Sequence, residues 1–385
     1  MKYIDEFRNG QIAQGLAARI RQDVEPGRDY ALMEFCGGHT HAICRYGIED
    51  LLPDNVRLIH GPGCPVCVLP SGRLQSAIDL VEREPVILCS YGDLLRVPGA
   101  QGDTLLKAKA RGANVQMVYS ISDALDIARA QPDRPVVFFA IGFETTTPPT
   151  AVTILQAKRE GLHNFSVYCN HVLTPPALRA ILADHRPRSA ADPEANSLLN
   201  GCIGPAHVST IIGSEPYQFV AADYRHPLVI AGFEPLDVLQ AILLLVRQIN
   251  AGEAKVENEY TRAVTPAGNR KAQRLMAEVF ELRPRFEWRG LGELPDSALA
   301  IRPEFAEWDA ERRFSIPVTD VADHKACACA EVLRGIKRPQ DCKVFGTVCT
   351  PDHPLGSCMV SAEGACAAHY HYGRFRQAAA STTPA

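Results

Sequence analysis

Val136-Val-Phe-Phe-Ala-Ile-Gly142, followed at once by Phe143-Glu-Thr-Thr-Thr-Pro-Pro149, is the stretch from which the fold is read. A near-continuous apolar run of strand length suits a strand buried on both faces. The threonine that follows stands before two prolines, which suit the first turn of a helix. The same grammar recurs at Tyr30 to Cys36, Val56 to Gly61, Val86 to Ser90, Val115 to Tyr119, Phe165 to Cys169 and Leu228 to Gly232. Buried strands alternating with helices predict parallel sheets covered on both sides. Further helix starts are expected at Thr174 and Thr265, each before proline, and helix ends at Gly161 and Gly252.

The polar, proline-containing break Gln131 to Arg134 separates two comparable strand-helix sets and favours two lobes. The expected class is α/β: two lobes with parallel sheets flanked by helices, plus a mainly helical and irregular cysteine-rich domain. The lobes are placed at 30–133 and 134–232, and the third domain at 1–29 and 233–385. An amphipathic helix near Gly10 to Val24 is expected to pack against that third domain. After Gly252 the pattern reads as long helices and then irregular sequence; the end beyond Arg376, AAASTTPA, reads as frayed.

At 385 residues, 46% apolar and 22% charged, the chain has enough material for two or three domains with real cores. The net charge of -4, with no Lys/Arg run, argues against nucleic acid as a partner. The start, MKYIDEFRNGQIAQG, lacks the apolar region of a secretory signal, and Val136 to Gly142 and Ala241 to Val246 are too short to span a bilayer. The reading is a soluble, cytoplasmic protein without a membrane partner, monomeric on its own. In a reducing compartment its thirteen cysteines are ligands, redox thiols or core side chains rather than structural staples.

Three cysteine groups carry the chemistry. Glu34-Phe-Cys-Gly-Gly-His-Thr-His41 follows a strand, so Cys36 projects where loops converge, with His39 or His41 to tune it as a metal ligand or nucleophile. Gly61-Pro-Gly-Cys-Pro-Val-Cys67 also follows a strand. Cys64 and Cys67 read as a redox dithiol in preference to half a zinc site, because no second C-x-x-C completes four ligands. In the tail, Cys327, Cys342, Cys349 and Cys366 have 14, 6 and 16 residues between them, which suits an iron-sulfur cluster held by loops ahead of zinc. Cys329 and Cys358 remain as a second pair.

The other candidates are weaker. Cys89, Cys169 and Cys202 read as core filler and Cys44 is unassigned. His171, His207 and Asp93 stand beside strand ends, where structural roles are common. Glu144 and Glu234 follow strands in GFETTTPP and GFEPLD, where they either line a ligand site or cap the next helix.

Through EFCGGHTHAICRYG, HGPGCPVCV, SYGDLLRVPG, GFETTTP, GPAHVSTIIG, VIAGFEPLD and CTPDHPLGSCMVSAEGACAAHYHYG, in that order and spread over nearly the whole chain, it resembles the HypD family. The family consists of maturation factors of nickel-iron hydrogenases. The resemblance implies a scaffold and redox protein for assembling the Fe(CN)2CO centre, in complex with the small chaperone HypC and with HypE as cyanide donor. It implies that Cys36, with His39 and His41 beside it, holds the transient iron with its cyanide and carbon monoxide ligands. It further implies a 4Fe-4S cluster on Cys327, Cys342, Cys349 and Cys366, and thiol pairs Cys64/Cys67 and Cys329/Cys358. Two other classes use the same equipment: an iron-sulfur-dependent protein disulfide reductase, and a zinc-stabilised scaffold without catalysis.

Overall fold

The computed structural model describes residues 5–185 and 199–373; the tail read as frayed lies outside the described residues. Eleven strands are described: β1 Tyr30–Glu34, β2 Val56–His60, β3 Ile87–Ser90, β4 Val115–Met117, β5 Val136–Gly142, β6 Phe165–His171, β7 Gly201–Pro205, β8 Leu228–Ala231, β9 Val256–Asn258, β10 Phe280–Trp288 and β11 Gly292–Ile301. They form a parallel sheet of order β2-β1-β7-β8-β9, a parallel sheet of order β4-β3-β5-β6 and an antiparallel hairpin β10-β11. The class is α/β, with both parallel sheets flanked by helices.

All seven residues of β5 are buried. Val137, Phe139 and Ile141 face one apolar cluster, and Val136, Phe138 and Ala140 face another. This alternation is the period of two expected of a strand between two helix layers. Full burial of a phenylalanine is worth roughly 1.5–3 kcal/mol, so Phe138 and Phe139 make β5 the anchor of its sheet.

The sheets cut across the division at residue 133. β1 and β2 share a sheet with β7, β8 and β9 from far along the chain, joined where β1 pairs with β7, whereas β3 and β4 join β5 and β6. Parallel neighbours need a crossover connection in any case, so adjacency in sequence does not set adjacency in a sheet. β7, GCIGP, escaped the sequence reading because glycine and proline mask its apolar character. Its glycines admit close packing: a side chain on Gly204 would run into Leu228 and Ile230 of β8.

The region after Gly252 departs from the helical expectation. It opens with β9, and the stretch from Phe280 to Ile301 folds as the hairpin β10-β11, whose register shifts between Arg283 and Arg285. Pro284 lies at that shift, where it cannot donate to the ladder. The expected helix start at Thr265 is displaced: the helix Arg270–Val279 begins later, with Asn269 accepting from the Ala272 amide. Thr147 and Thr174 do open helices, Thr147–Glu160 and Thr174–Asp184, although each is the first helical residue rather than the cap. Gly161 closes its helix in the left-handed conformation.

The helix Gly10–Asp23 packs on the helix Pro235–Asn250, which covers β7 and β8. The cysteine-rich tail is not a separate core. Cys329, Cys349, Cys358, Met359, Val360 and Cys366 share one buried cluster with Val137 and Phe139 of β5 and with Cys64 and Cys67. Among the described residues no helix is long and apolar enough to cross a membrane.

Candidate functional site

β1 ends at Glu34, and two residues later Cys36 is the N-cap of the helix Gly37–Tyr46. In the five-stranded sheet the chain leaves β1 toward β2 on one side, while β7 lies on the other. Such a switch point is where open α/β sheets place ligands. The Cys36 sulfur lies there, near the backbone amides of Gly38 and of His207 in the helix Ala206–Ile212 that follows β7. Amides at the starts of two helices favour an anion, but burial pushes the thiol well up, reinforced by the nearby carboxylate of Glu363 and then that of Glu34. A bare thiolate is therefore disfavoured, and a cation that replaces the proton would relieve the penalty.

The wall around Cys36 is tight. The Gly37 amide donates to the Gly63 carbonyl at 3.0 Å, and a Cβ on Gly63 would stand 2.4 Å from the Cys36 nitrogen. A Cβ on Gly37 would stand 2.4 Å from the Glu363 Cβ. The two glycine-containing motifs are thus pressed backbone to backbone, with the tail as a lid.

The histidines of the first motif have other partners. His39 is buried, and its Nε2 lies 3.0 Å from the carbonyl oxygens of both Ala231 and Gly232 at the end of β8, so it donates there. Burial pushes its pKa down, which favours the neutral ring. His41 Nδ1 sits 3.4 Å from the Ala362 carbonyl, and its ring meets Tyr372 edge-on. The groups bearing most on the Cys36 sulfur are Gly38, His207, Glu34 and Glu363.

Cys64 and Cys67 are joined as a disulfide, both buried, with Cys64 capping the short turn Pro65–Val68. Behind them, all six tail cysteines, Cys327, Cys329, Cys342, Cys349, Cys358 and Cys366, line one pocket with Ala328, Phe345, Gly356 and Met359. Cys366 is held well above the usual thiol range by burial and by Cys329, Cys349 and Cys342. Burial likewise raises Cys349. Crowded thiols, with Cys349 and Cys366 buried and resisting ionisation, are the donor set that a soft metal group satisfies together.

Cys329 is the exception. It receives hydrogen bonds from Cys327 and Cys358 and lies near the buried Arg289 guanidinium, which together carry its pKa well below the usual value. Cys358, its donor, is raised. Ser357 Oγ lies 3.7 Å from the Cys329 sulfur and donates to the Cys67 carbonyl at 3.1 Å. Arg289 joins the same two segments, its amide donating to the Val68 carbonyl at 2.9 Å. The tail pair and the C-x-x-C disulfide are therefore neighbours bridged by one serine.

A family described as "HypD: Hydrogenase formation hypA family" matches residues 11–373. The chain belongs to the HypD family. It is 64% identical over 378 residues to hydrogenase maturation factor HypD of Azotobacter vinelandii, covering 98% of each chain. Identity is 61% over 377 residues to the factor of that name from Rhizobium leguminosarum bv. viciae, with 98% of this chain and 97% of the relative covered. To hydrogenase maturation factor HypD of Escherichia coli (strain K12) it is 45% over 377 residues, 97% and 98% of the two chains.

In this HypD-family chain the remaining candidates take structural places. Glu144 is buried and accepts from the Thr174 amide at 2.9 Å and its hydroxyl at 3.0 Å, so it tethers the start of a more distant helix rather than the next one. Glu234 caps the helix Pro235–Asn250 and pairs with Arg8. His171 is buried, with Nε2 2.9 Å from Thr150 Oγ1, and Asp93 pairs with Arg96 at 3.5 Å. Cys89, Cys169 and Cys202 are buried strand residues.

Sequence reading missed Glu34, His60, Ser357, Arg289 and Glu363. Glu34 and His60 end the adjacent strands β1 and β2 directly opposite each other, Nδ1 to Oε1 at 2.9 Å. Both stand beside the quoted cysteine motifs, and a polar residue closing an apolar strand was the available signal. Ser357, Arg289 and Glu363 carry no such mark, since only the tertiary fold brings them to the site.

Proposed function

We propose that this HypD-family protein is the scaffold and redox partner on which the Fe(CN)2CO centre of nickel-iron hydrogenase is assembled, together with a HypC-type chaperone and a HypE-type cyanide donor. The observation that carries the reading is the juxtaposition of three cysteine groups: Cys36 against the Cys64/Cys67 loop through Gly63, and that loop against Cys329 through Ser357. Cys36 would bind the iron cargo, its proton displaced by the cation, while the helix-start amides of Gly38 and His207 share the remaining sulfur charge. His39 anchors the Cys36 helix to β8, and His41 lies at its rim.

Cys327, Cys342, Cys349 and Cys366 would hold a 4Fe-4S cluster, which supplies electrons one at a time when bound. Cys329, whose pKa is lowered, would act as nucleophile of the Cys329/Cys358 pair. Oxidation of that pair to a disulfide releases two electrons and two protons, which balances reduction of Cys64–Cys67 to two thiols. The reduced Cys64/Cys67 pair then stores two electrons beside Cys36.

Infrared spectroscopy of the anaerobically purified protein with its small partner tests this. Cyanide and carbonyl bands are expected in the parent and absent from Cys36→Ala, with the brown cluster absorbance retained in both; bands that persist in the variant would refute the role of Cys36. The disulfide reductase reading fits less well, because Cys64 and Cys67 are 3% and 0% exposed and offer no face to an external protein disulfide.

A further inference from the structure

On the far side of Glu34 from Cys36 lies a second group of ligand side chains that the assembly role leaves unused. Cys44 comes from the helix Gly37–Tyr46, His60 from the end of β2, and His369 from the turn after the helix Ala365–Ala368. All three are buried, and one ligand atom from each lies within 4.8 Å of the others. We propose that Cys44, His60 and His369 form a binding site for a single divalent cation of the zinc class, separate from the tail cysteines and from Cys36.

The hydrogen bonds around the two imidazoles support this. His60 Nδ1 lies 2.9 Å from Glu34 Oε1, so Nδ1 carries the proton and Nε2 presents its lone pair. That Nε2 lies 2.8 Å from His369 Nε2. Beyond it, the Gln340 amide lies 2.8 Å from His369 Nδ1, while Gln340 Oε1 is buried without a partner. Turning the amide over lets Oε1 accept from a protonated His369 Nδ1. Without an ion, His369 Nε2 donates to His60 Nε2; a cation taking the place of that shared proton moves the His369 proton to Nδ1, where the turned Gln340 accepts it.

The geometry is close to what such an ion needs. Tetrahedral bonds of roughly 2.0–2.1 Å set two imidazole nitrogens roughly 3.3 Å apart, so the rings separate by about half an ångström on binding. Two imidazoles and one thiolate suit zinc or cobalt(II) and not magnesium or calcium, which take oxygen donors. A cavity of about 440 Å³ opens on Cys44, His60 and His369, giving entry for a hydrated ion and room for a solvent molecule as fourth ligand. Glu34 holds His60 with one oxygen and accepts the Cys36 amide with the other at 2.8 Å, so this site and the Cys36 turn share a carboxylate.

Anaerobic titration of the full-length protein with cobalt(II), followed by its visible bands and by metal content, tests the assignment. Cys44→Ser and His369→Ala should each lose one equivalent of cobalt that Cys36→Ser and Cys342→Ser keep. Gln340→Leu, which leaves all three ligands in place, should weaken that equivalent by about 10–100-fold. X-ray absorption of zinc-loaded Cys342→Ser provides a readout that does not depend on how the ligand variants fold, and a mixed nitrogen and sulfur shell is expected. Cobalt content unchanged in both Cys44→Ser and His369→Ala, or an all-sulfur zinc shell, would overturn the site whether or not the iron-assembly reading holds.

Discussion

Replacing Glu144 with Gln should change how stability depends on pH, with a sign fixed by the structure. Burial raises the Glu144 carboxyl from 4.5 to about 7, against the opposing hydrogen bonds from Thr174. In the unfolded chain the group ionises at its ordinary value. Below pH 4.5 both states hold the proton; above it only the native state does, so folding loses stability as pH rises until about 7. Each pH unit is worth about 1.36 kcal/mol, giving a loss on the order of 3 kcal/mol. His171 opposes it: burial lowers its pKa from 6.5 to about 4, so it contributes stability above 6.5 that is lost as pH falls toward 4. The two slopes nearly cancel in the parent between pH 4.5 and 6.5. Glu144→Gln mimics the protonated carboxyl and removes one slope, so urea midpoints followed by tryptophan fluorescence should rise with pH over that range. The variant should match the parent at pH 4 and exceed it at pH 8, by up to on the order of 3 kcal/mol. A variant less stable than the parent at pH 8, or a profile with the parent's shape, would refute the reasoning.

Gly63→Ala forces a methyl into the Cys36 backbone and should cost about 1–3 kcal/mol while speeding alkylation of Cys36; an unchanged labelling rate would show that the two motifs are not pressed together. Arg289→Gln removes the positive charge beside Cys329, so the pH midpoint of Cys329 alkylation should move upward, as read by mass spectrometry. Arg73 is buried against Glu311 at 2.6 Å and Asn170 at 2.6 Å, and Arg73→Met should cost about 3–5 kcal/mol in denaturant unfolding.

Much of the fold is legible because β1, β2, β3, β5, β6 and β8 are apolar runs bounded by turn residues. β7 was not, since its glycines and proline serve packing rather than apolarity, and the hairpin β10-β11 was not, since exposed residues such as Arg285 and Glu287 interrupt its apolar ones. Partition into sheets is a long-range property that local pattern does not carry. The cysteine groups were legible as groups. Their mutual placement was not, because it runs through Ser357, Gly63 and Glu363, residues whose side chains announce no chemistry. The expected part for His39 and His41 rested on proximity in sequence, and the helix turns His39 toward β8 instead.

The way β1 and β2 wait for β7 has a consequence for synthesis. A strand made early must stay unpaired on one edge until more than a hundred further residues have left the ribosome, and contacts of such long range slow folding. The nascent chain therefore carries Cys36 and the future disulfide pair unprotected for much of translation. Ribosome-bound chains stopped before β7 should label at Cys36 as fast as unfolded protein, and chains that have passed β9 should not; early protection would show that the first half assembles without the second.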